Sequence, residues 1–156
     1  MTITAESLKQ LVRDIVAESM ALKDRHTDEH SAPVNYACIF AQSAAEHADL
    51  TQVVQKLGPV VKETASGLLY DIGGLDTIGG ALRILKIRNP DPTRPERGDA
   101  DFTVPDYASF KAKYLSRPGF KLITRSYMEM IELMEPGCRV RTYFSDPPVD
   151  QQIFGT

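Results

Sequence analysis

Apolar residues recur every three or four positions along the first part of the chain. Over residues 4–26 this spacing predicts an amphipathic helix, with a capping box of Ser7 and Gln10 near its start. The positions expected on its buried face are Leu8, Leu11, Val12, Ile15, Ser19 and Leu22. Charged residues on the other face are expected to be solvated: Lys9, Arg13, Asp14, Glu18 and Lys23.

Two histidines lie where this helix is expected to end. His26 and His30 are four residues apart, a spacing that places two imidazoles on one helical face as metal ligands. The segment is polar, however, and runs into a proline at position 33 that breaks regular structure. A frayed, solvated helix end is therefore the preferred interpretation, and residues 1–33 are assigned to the helix and its link.

The rest of the chain contains two units with the same order of elements. The first, residues 34–88, starts with a strand over 34–40 and continues with a helix capped by Ser43 and Glu46. Strands follow over 59–64, 68–72 and 81–87. The paired glycines between the last two, at 73–74 and 79–80, predict hinges of a mobile loop.

The second unit covers residues 100–145. Its first strand is predicted over 100–104, a helix capped by Asp106 follows, and three strands lie over 120–124, 128–133 and 139–144. A proline-rich, charged connector over 88–99 is too short to separate independent domains. We therefore predict an α+β fold in which two βαβββ units, 34–88 and 100–145, form one curled mixed sheet with a cleft. This single domain covers 34–156, and its tail after Ser145 is expected to be extended.

Composition restricts the function classes. The 156 residues carry a formal net charge of −3 and are 42% hydrophobic, which argues against a nucleic-acid or anionic-membrane surface. The start of the chain lacks the apolar core of a signal peptide, and two cysteines provide no disulfide framework. A cytoplasmic protein is the expectation. Cys38 is expected to be a small buried apolar residue, and a dyad of Cys138 with a distant histidine is disfavoured.

Two sequential βαβββ units in a chain of this length resemble the vicinal oxygen chelate superfamily, the glyoxalase and extradiol-dioxygenase fold. The N-terminal helix and the charged connector also resemble a small bacterial branch of that superfamily described as metal-binding proteins. The resemblance covers residues 34–145 and implies a cleft in which a divalent metal is held by the first and last strand of each unit. A ferredoxin-like or other α+β sandwich is the alternative fold.

The residues at the implied metal positions are poor ligands. They are Asn35 and Asp101 on the first strands, with Lys86 and Tyr143 on the last strands. Lys86 would place an ammonium where a cation should bind, and a shift to Arg88 and Ser145 is no better. The resemblance therefore implies a metal site that has been lost, and no metal cofactor is expected.

With the cleft geometry that the resemblance implies, strand alternation predicts a polar cleft floor. The residues that we expect there are Asn35, Lys86, Asp101, Glu132, Arg141 and Tyr143. Two cations in this set suit an anionic small molecule, although a structural Lys86–Asp101 ion pair is the favoured alternative for those two residues. Of Glu129 and Glu132, on opposite strand faces, one should face the cleft. Arg94 and Arg97 either close over an anion or pair with Asp91, Glu96 and Asp99.

Three functions follow from these predictions. The first is a metal-free protein that binds a small, anionic molecule. The second is a metal-dependent lyase, isomerase or dioxygenase of the same superfamily. The third is an interaction module whose N-terminal helix docks a partner or the second subunit of a homodimer.

Overall fold

The computed structural model describes residues 2–155, which form four helices and eight strands. The elements in chain order are α1 (Ala5–His26), β1 (Val34–Phe40), α2 (Ala44–Val54), β2 (Val60–Thr64), β3 (Gly67–Thr77), β4 (Gly80–Arg88), β5 (Gly98–Phe102), α3 (Tyr107–Tyr114), β6 (Phe120–Thr124), β7 (Glu129–Leu133), β8 (Val140–Asp146) and α4 (Val149–Phe154). None of the helices within 2–155 is long and apolar enough to cross a bilayer.

All eight strands belong to one curled sheet in the order β2-β3-β4-β1-β5-β8-β7-β6. Within each unit the first strand pairs in parallel with the last, β1 with β4 and β5 with β8. The two units meet where β1 and β5 pair antiparallel at the centre of the sheet. The predicted α+β fold, with two βαβββ units that enclose a cleft behind an N-terminal helix, is confirmed.

Side-chain caps explain where two of the helices begin. Ser43 accepts a hydrogen bond from the backbone N–H of Glu46 at the start of α2, and Asp106 accepts one from Ser109 at the start of α3. Both caps lie where the sequence predicts them. The predicted capping box of α1 is wrong: Thr4 is the N-cap and exchanges hydrogen bonds with Ser7.

Helix α1 packs against the outer face of β1, β5 and β8 through its apolar side. Two hydrogen bonds supplement this packing. The Ser19 hydroxyl donates to the backbone oxygen of Arg141 at 3.1 Å, and the Thr142 hydroxyl donates to the backbone oxygen of Ser19 at 2.8 Å. The helix thus supports, from behind, the strands that carry the cleft floor.

The predicted polar face of α1 is wrong at Lys23, because the side chain of this lysine is fully buried. Its ammonium donates to Asp24 at 2.6 Å and to the backbone oxygen of Glu29, and it lies 5.4 Å from the centre of the Phe102 ring. The chain turns back over the end of the helix after residue 26. This return covers a position that helical periodicity alone places in solvent.

The two histidines near the end of α1 do not share a site. His26 contacts Glu135 at 2.8 Å, whereas the ring of His30 lies 3.2 Å from Asp24. Glu135 also accepts hydrogen bonds from Arg25 and from the Cys138 thiol. Partial burial and the Glu135 carboxylate raise the pKa of Cys138, which disfavours a reactive thiolate.

Three local predictions are wrong. Gly73 and Gly74 lie within β3 at an irregularity in its pairing with β4, not in a separate loop. The tail folds into the short helix α4 instead of staying extended. Strand β5 starts at Gly98, two residues earlier than predicted. This last difference matters most, because it moves Asp99 from the connector into the sheet.

Candidate ligand-binding cleft

A cleft of about 430 Å³ lies on the inner face of the curled sheet, between the two units. Its walls come from both units, from the connector before β5 and from α4. Helix α1 packs on the opposite face of the sheet, so the cleft floor consists of inward-pointing strand residues. The site is thus formed by the inner face of the sheet together with the connector and α4.

Two rows of paired residues form the cleft floor. In the first row Cys38 on β1 pairs with Lys86 on one side and with Asp99 on the other. In the second row Asp101 on β5 pairs with Tyr36 and Tyr143. Both rows run across the line where the units meet, so each unit contributes to one continuous polar surface.

The side of β1 that was predicted to face the cleft is wrong from Tyr36 onward. The expectation was that Asn35 and alternate residues after it face the cleft, but Tyr36 lines the cleft and Ala37 lies in the core. The pairing of β1 with β5 shifts by one residue between Val34 and Tyr36. This bulge inverts the side-chain alternation along the rest of β1.

Asn35 and Ser145 donate hydrogen bonds to Asp101, so they do not form an independent binding surface. Asp101 accepts hydrogen bonds from the Asn35 amide at 3.0 Å, from the backbone N–H of Ser145 at 3.1 Å and from the Ser145 hydroxyl. Burial raises the pKa of Asp101 to about 6 even though these bonds favour the carboxylate. The structure therefore brings Asn35 and Asp101 together as predicted, as a bonded cluster on one side of the cleft.

The prediction that favoured an ion pair between Lys86 and Asp101 is wrong. Lys86 donates to the Ser66 hydroxyl at 2.6 Å, while the oxygens of Asp101 are taken by Asn35 and Ser145. The two residues lie in different rows of the sheet and on strands separated by β1. Burial lowers the pKa of Lys86, as expected for an ammonium with a neutral partner.

Arg141 is not the free cation that the sequence predicts. It lies 2.9 Å from Glu96 and 3.2 Å from Glu132, and Glu132 also accepts a 2.6 Å hydrogen bond from the Tyr143 hydroxyl. Glu132 is thus the inward member of the glutamate pair, since Glu129 contacts α3 through Tyr107 and Lys111. Glu96, Glu132 and Arg141 thus form an ion-pair network in which two glutamates share one arginine, and its hydrogen-bond partner Tyr143 lines the cleft.

Of the two predicted cations only Lys86 lines the cleft, and it is joined by four basic residues that were not predicted as its floor. The five cations in the lining are Lys62, Lys86, Arg88, Arg94 and Arg125. Only Arg88 has a carboxylate within 4.0 Å in the described part of the chain, and its distance to Asp91 is 3.7 Å. Arg94 instead donates to the Tyr143 hydroxyl at 3.4 Å, whereas Arg97 pairs with Glu46 away from the cleft. The same lining contains two acidic residues, Asp99 and Asp101, so basic side chains outnumber acidic ones in the cleft by five to two.

Asp99 is the cleft residue that the sequence analysis missed. It is 6% exposed, it lines the cleft, and its Oδ1 atom is buried without a hydrogen-bond partner. Burial raises its pKa to about 7, although Lys86 acts to lower it. The available signal was its spacing of two from Asp101, which places both side chains on one strand face.

Part of the cleft wall is apolar. Its main contributors are Leu69, Ile123, Met128, Met130 and Val149. The Lys62 ammonium lies 5.0 Å from the ring centre of Tyr127, which links the outer strand of the first unit to the second unit. The cleft thus combines an excess of basic side chains with a methionine-rich wall, a combination that suits an anion with an apolar body.

The side chains present do not fit a metal ion. Among residues 2–155 no group of three or more histidine, cysteine, aspartate or glutamate side chains is arranged to hold one. At the positions that the superfamily resemblance implies, Lys86 presents an ammonium, which has no lone pair, and Asp101 already accepts three hydrogen bonds from Asn35 and Ser145. One partly engaged carboxyl does not provide the several oxygen ligands that a divalent cation requires.

We expect purified protein to carry well under one equivalent of zinc, iron, manganese or nickel after dialysis, because the cleft offers too few ligands. Elemental analysis of protein prepared without chelators measures this content. A near-stoichiometric metal that survives dialysis would contradict the prediction and favour the metal-dependent enzyme.

Comparison with known proteins supports the fold and leaves the activity open. No family model matches the chain, and no curated protein matches it. The chain is similar to a solved structure described as "Structural Genomics, Protein EC4020", with a TM-score of 0.72 and 12% sequence identity. This similarity covers 99% of the present chain and 97% of that chain. At this identity the two proteins share a fold, and nothing about ligands is transferred.

Proposed function

We propose that the chain is a cytoplasmic protein that binds a small anionic molecule, a carboxylate with an apolar body, in the cleft between its two units. The observation that carries this proposal is the set of four cleft-lining cations that have no carboxylate within 4.0 Å among residues 2–155: Lys62, Lys86, Arg94 and Arg125. We also propose that the two units derive from a glyoxalase-like, vicinal oxygen chelate arrangement whose metal site has been lost.

The electrostatics of the cleft support an anion over a cation. Elsewhere, arginines commonly lie within 3 Å of a carboxylate, as Arg83 does with Asp71 and Arg139 with Glu18. Lys86 is buried in the cleft, where a charge-assisted hydrogen bond is stronger than in bulk water, whereas Lys62 and Arg94 are half-buried and Arg125 is exposed. A bound carboxylate would supply the missing partner charge.

The alternative is a metal-dependent lyase, isomerase or dioxygenase. It needs at least three good ligands around one point, and the residues at the expected positions are engaged in other contacts. It therefore ranks second, and the metal content described above is its test.

We expect hexanoate to raise the melting temperature of the protein and its neutral isostere hexanamide to leave it nearly unchanged. A ligand that binds only the folded state stabilises it by mass action. Lys86→Met keeps the length of the side chain and removes the ammonium, so the dissociation constant for hexanoate should rise roughly tenfold or more. Thermal-shift titration and calorimetry at low salt measure both effects.

Lys56→Met is the matched control for this experiment. Lys56 is also a lysine without a carboxylate partner, but it is exposed at the end of α2 and does not line the cleft. Its variant should bind hexanoate like the wild type. If hexanoate and a panel of other carboxylates leave the melting temperature unchanged, the anion-binding proposal fails.

A further inference from the structure

The Oδ1 atom of Asp99 has no hydrogen-bond partner among residues 2–155, although the side chain is buried in the floor of the cleft. Asp101, two residues along the same strand, accepts three hydrogen bonds. A buried carboxyl without a donor costs free energy, and native proteins rarely retain one without a use. Asp99 is therefore an acceptor that the protein itself does not satisfy.

The surroundings of Asp99 are cationic and aromatic, yet no group in the described part of the chain donates a hydrogen bond to its Oδ1 atom. The titratable and charged groups around it come from four strands and the connector: Tyr36, Cys38, Lys86, Arg88, Arg94, Asp101, Tyr143 and Arg141, which is its paired residue on β8. In the first floor row the Cα atoms of Lys86 and Asp99 are separated by two strand spacings, about 10 Å. The space between their side chains faces the cleft.

We propose that Asp99 accepts a hydrogen bond from a hydroxyl group of the bound anion, so that the ligand class is a hydroxycarboxylate with an apolar body. This inference rests on the proposed anion-binding function. The carboxylate of the ligand contacts the cleft cations, its hydroxyl donates to Asp99, and its apolar body lies on the methionine-rich wall.

A hydroxyl suits this position better than an ammonium does. An ammonium beside Asp99 would also lie beside Lys86, Arg88 and Arg94, whose charges act on that carboxyl. A hydroxyl provides the missing donor without adding positive charge to a cationic site. The same groups therefore select a hydroxy acid over an amino acid with the same carbon skeleton.

Three probes with one skeleton test this selection: hexanoate, 2-hydroxyhexanoate and norleucine. We expect at least one enantiomer of 2-hydroxyhexanoate to bind the wild type at least tenfold more tightly than hexanoate, and norleucine to bind more weakly than 2-hydroxyhexanoate. Isothermal titration calorimetry at pH 7.5 measures the three dissociation constants, with the enantiomers assayed separately.

Asp99→Ala removes the acceptor and should reduce the preference for the hydroxy acid to less than threefold. Asp49→Ala is the matched control, because Asp49 is exposed on α2 and its variant should keep the full preference.

Asp99→Asn provides a check on folding. Burial raises the pKa of Asp99 to about 7, so ionisation of this carboxyl costs free energy in the folded state. The folded protein is therefore free of this cost below about pH 4, and it loses stability as the pH rises through about 7. The Asn variant should therefore melt at a higher temperature than the wild type at pH 8, and the difference should disappear near pH 4.

The outcomes separate this inference from the proposed function. If hexanoate binds and 2-hydroxyhexanoate binds equally well, the role of Asp99 is wrong while anion binding stands. Tighter binding of norleucine than of 2-hydroxyhexanoate would also overturn it. A lower melting temperature of both Asp99 variants at pH 8 would show that the carboxyl is structural. If none of the probes binds, both proposals fail.

Discussion

Lys23→Ala is expected to destabilise the protein by about 3 kcal/mol or more. The substitution removes a fully buried side chain, and it deprives the backbone oxygen of Glu29 of its donor. It also removes the cation beside Asp24 and the contact with the Phe102 ring. Chemical denaturation at pH 7 measures the loss as a change in the unfolding midpoint.

Two further variants identify the cause of that loss. Lys23→Met retains most of the packing and removes the donor, so it should cost about 1–3 kcal/mol. Lys9→Ala lies on the same helix, where the lysine is partly exposed and 3.6 Å from Glu6, and it should change stability by less than about 0.5 kcal/mol. Equal effects of the Lys23 and Lys9 variants would mean that the buried contacts of Lys23 contribute nothing.

Lys23 also illustrates the limit of sequence periodicity. The helical pattern places it on the charged face with Lys9 and Glu18, and for most of α1 that assignment is correct. The exception arises because residues 27–33 return over the last turn of the helix, and a return of the chain is not encoded in helical spacing. Non-local contacts of this kind override a local pattern.

The fold was the more predictable part of the molecule. Capping residues, glycines, prolines and apolar alternation are local signals, and they located α2, α3 and the order of helices and strands along the chain. The strand boundaries were less predictable. Three prolines before Gly98 predicted that the connector extends to residue 99, whereas β5 starts at Gly98 because that residue pairs with Ile39 and with Val140.

Part of the candidate site was predicted because strand alternation is also a local signal. Lys86, Asp101 and Tyr143 line the cleft as expected, because simple alternation holds on their strands. The face of β1 was inverted by one extra residue near Asn35, which no composition signal reveals. Whether a cation is free depends on distant partners: Arg141 is neutralised by Glu96 from the connector.

The electrostatic arrangement of the cleft is unfavourable to the empty protein. Unpaired cations and an unbonded carboxyl share a small volume, and both destabilise the folded state unless a ligand or water satisfies them. Stability and ligand binding should therefore oppose each other at this site. Lys86→Met and Asp99→Asn are expected to weaken or alter binding while they relieve the cost of buried charge.

Gly98→Ala is expected to destabilise the protein by at least about 3 kcal/mol. A Cβ atom at Gly98 would lie 2.2 Å from the backbone oxygen of Cys38 and 2.8 Å from the Cδ1 atom of Ile15. The strand and the helix on either side must both move, and Asp99 and Cys38 in the cleft floor move with them. We therefore expect a lower unfolding midpoint together with weaker hexanoate binding.

A control and a partial rescue test that steric cause. At Gly137 an added Cβ meets nothing within 4 Å, so Gly137→Ala should cost only the roughly 1 kcal/mol of a non-glycine residue at its φ of 85°. Ile15→Val removes the Cδ1 atom, and combined with Gly98→Ala it should restore part of the stability. The contact with the Cys38 oxygen remains in the double variant, since that atom belongs to the backbone of β1. Complete recovery would therefore show that the close approach of β1 and β5 is not what requires glycine at position 98.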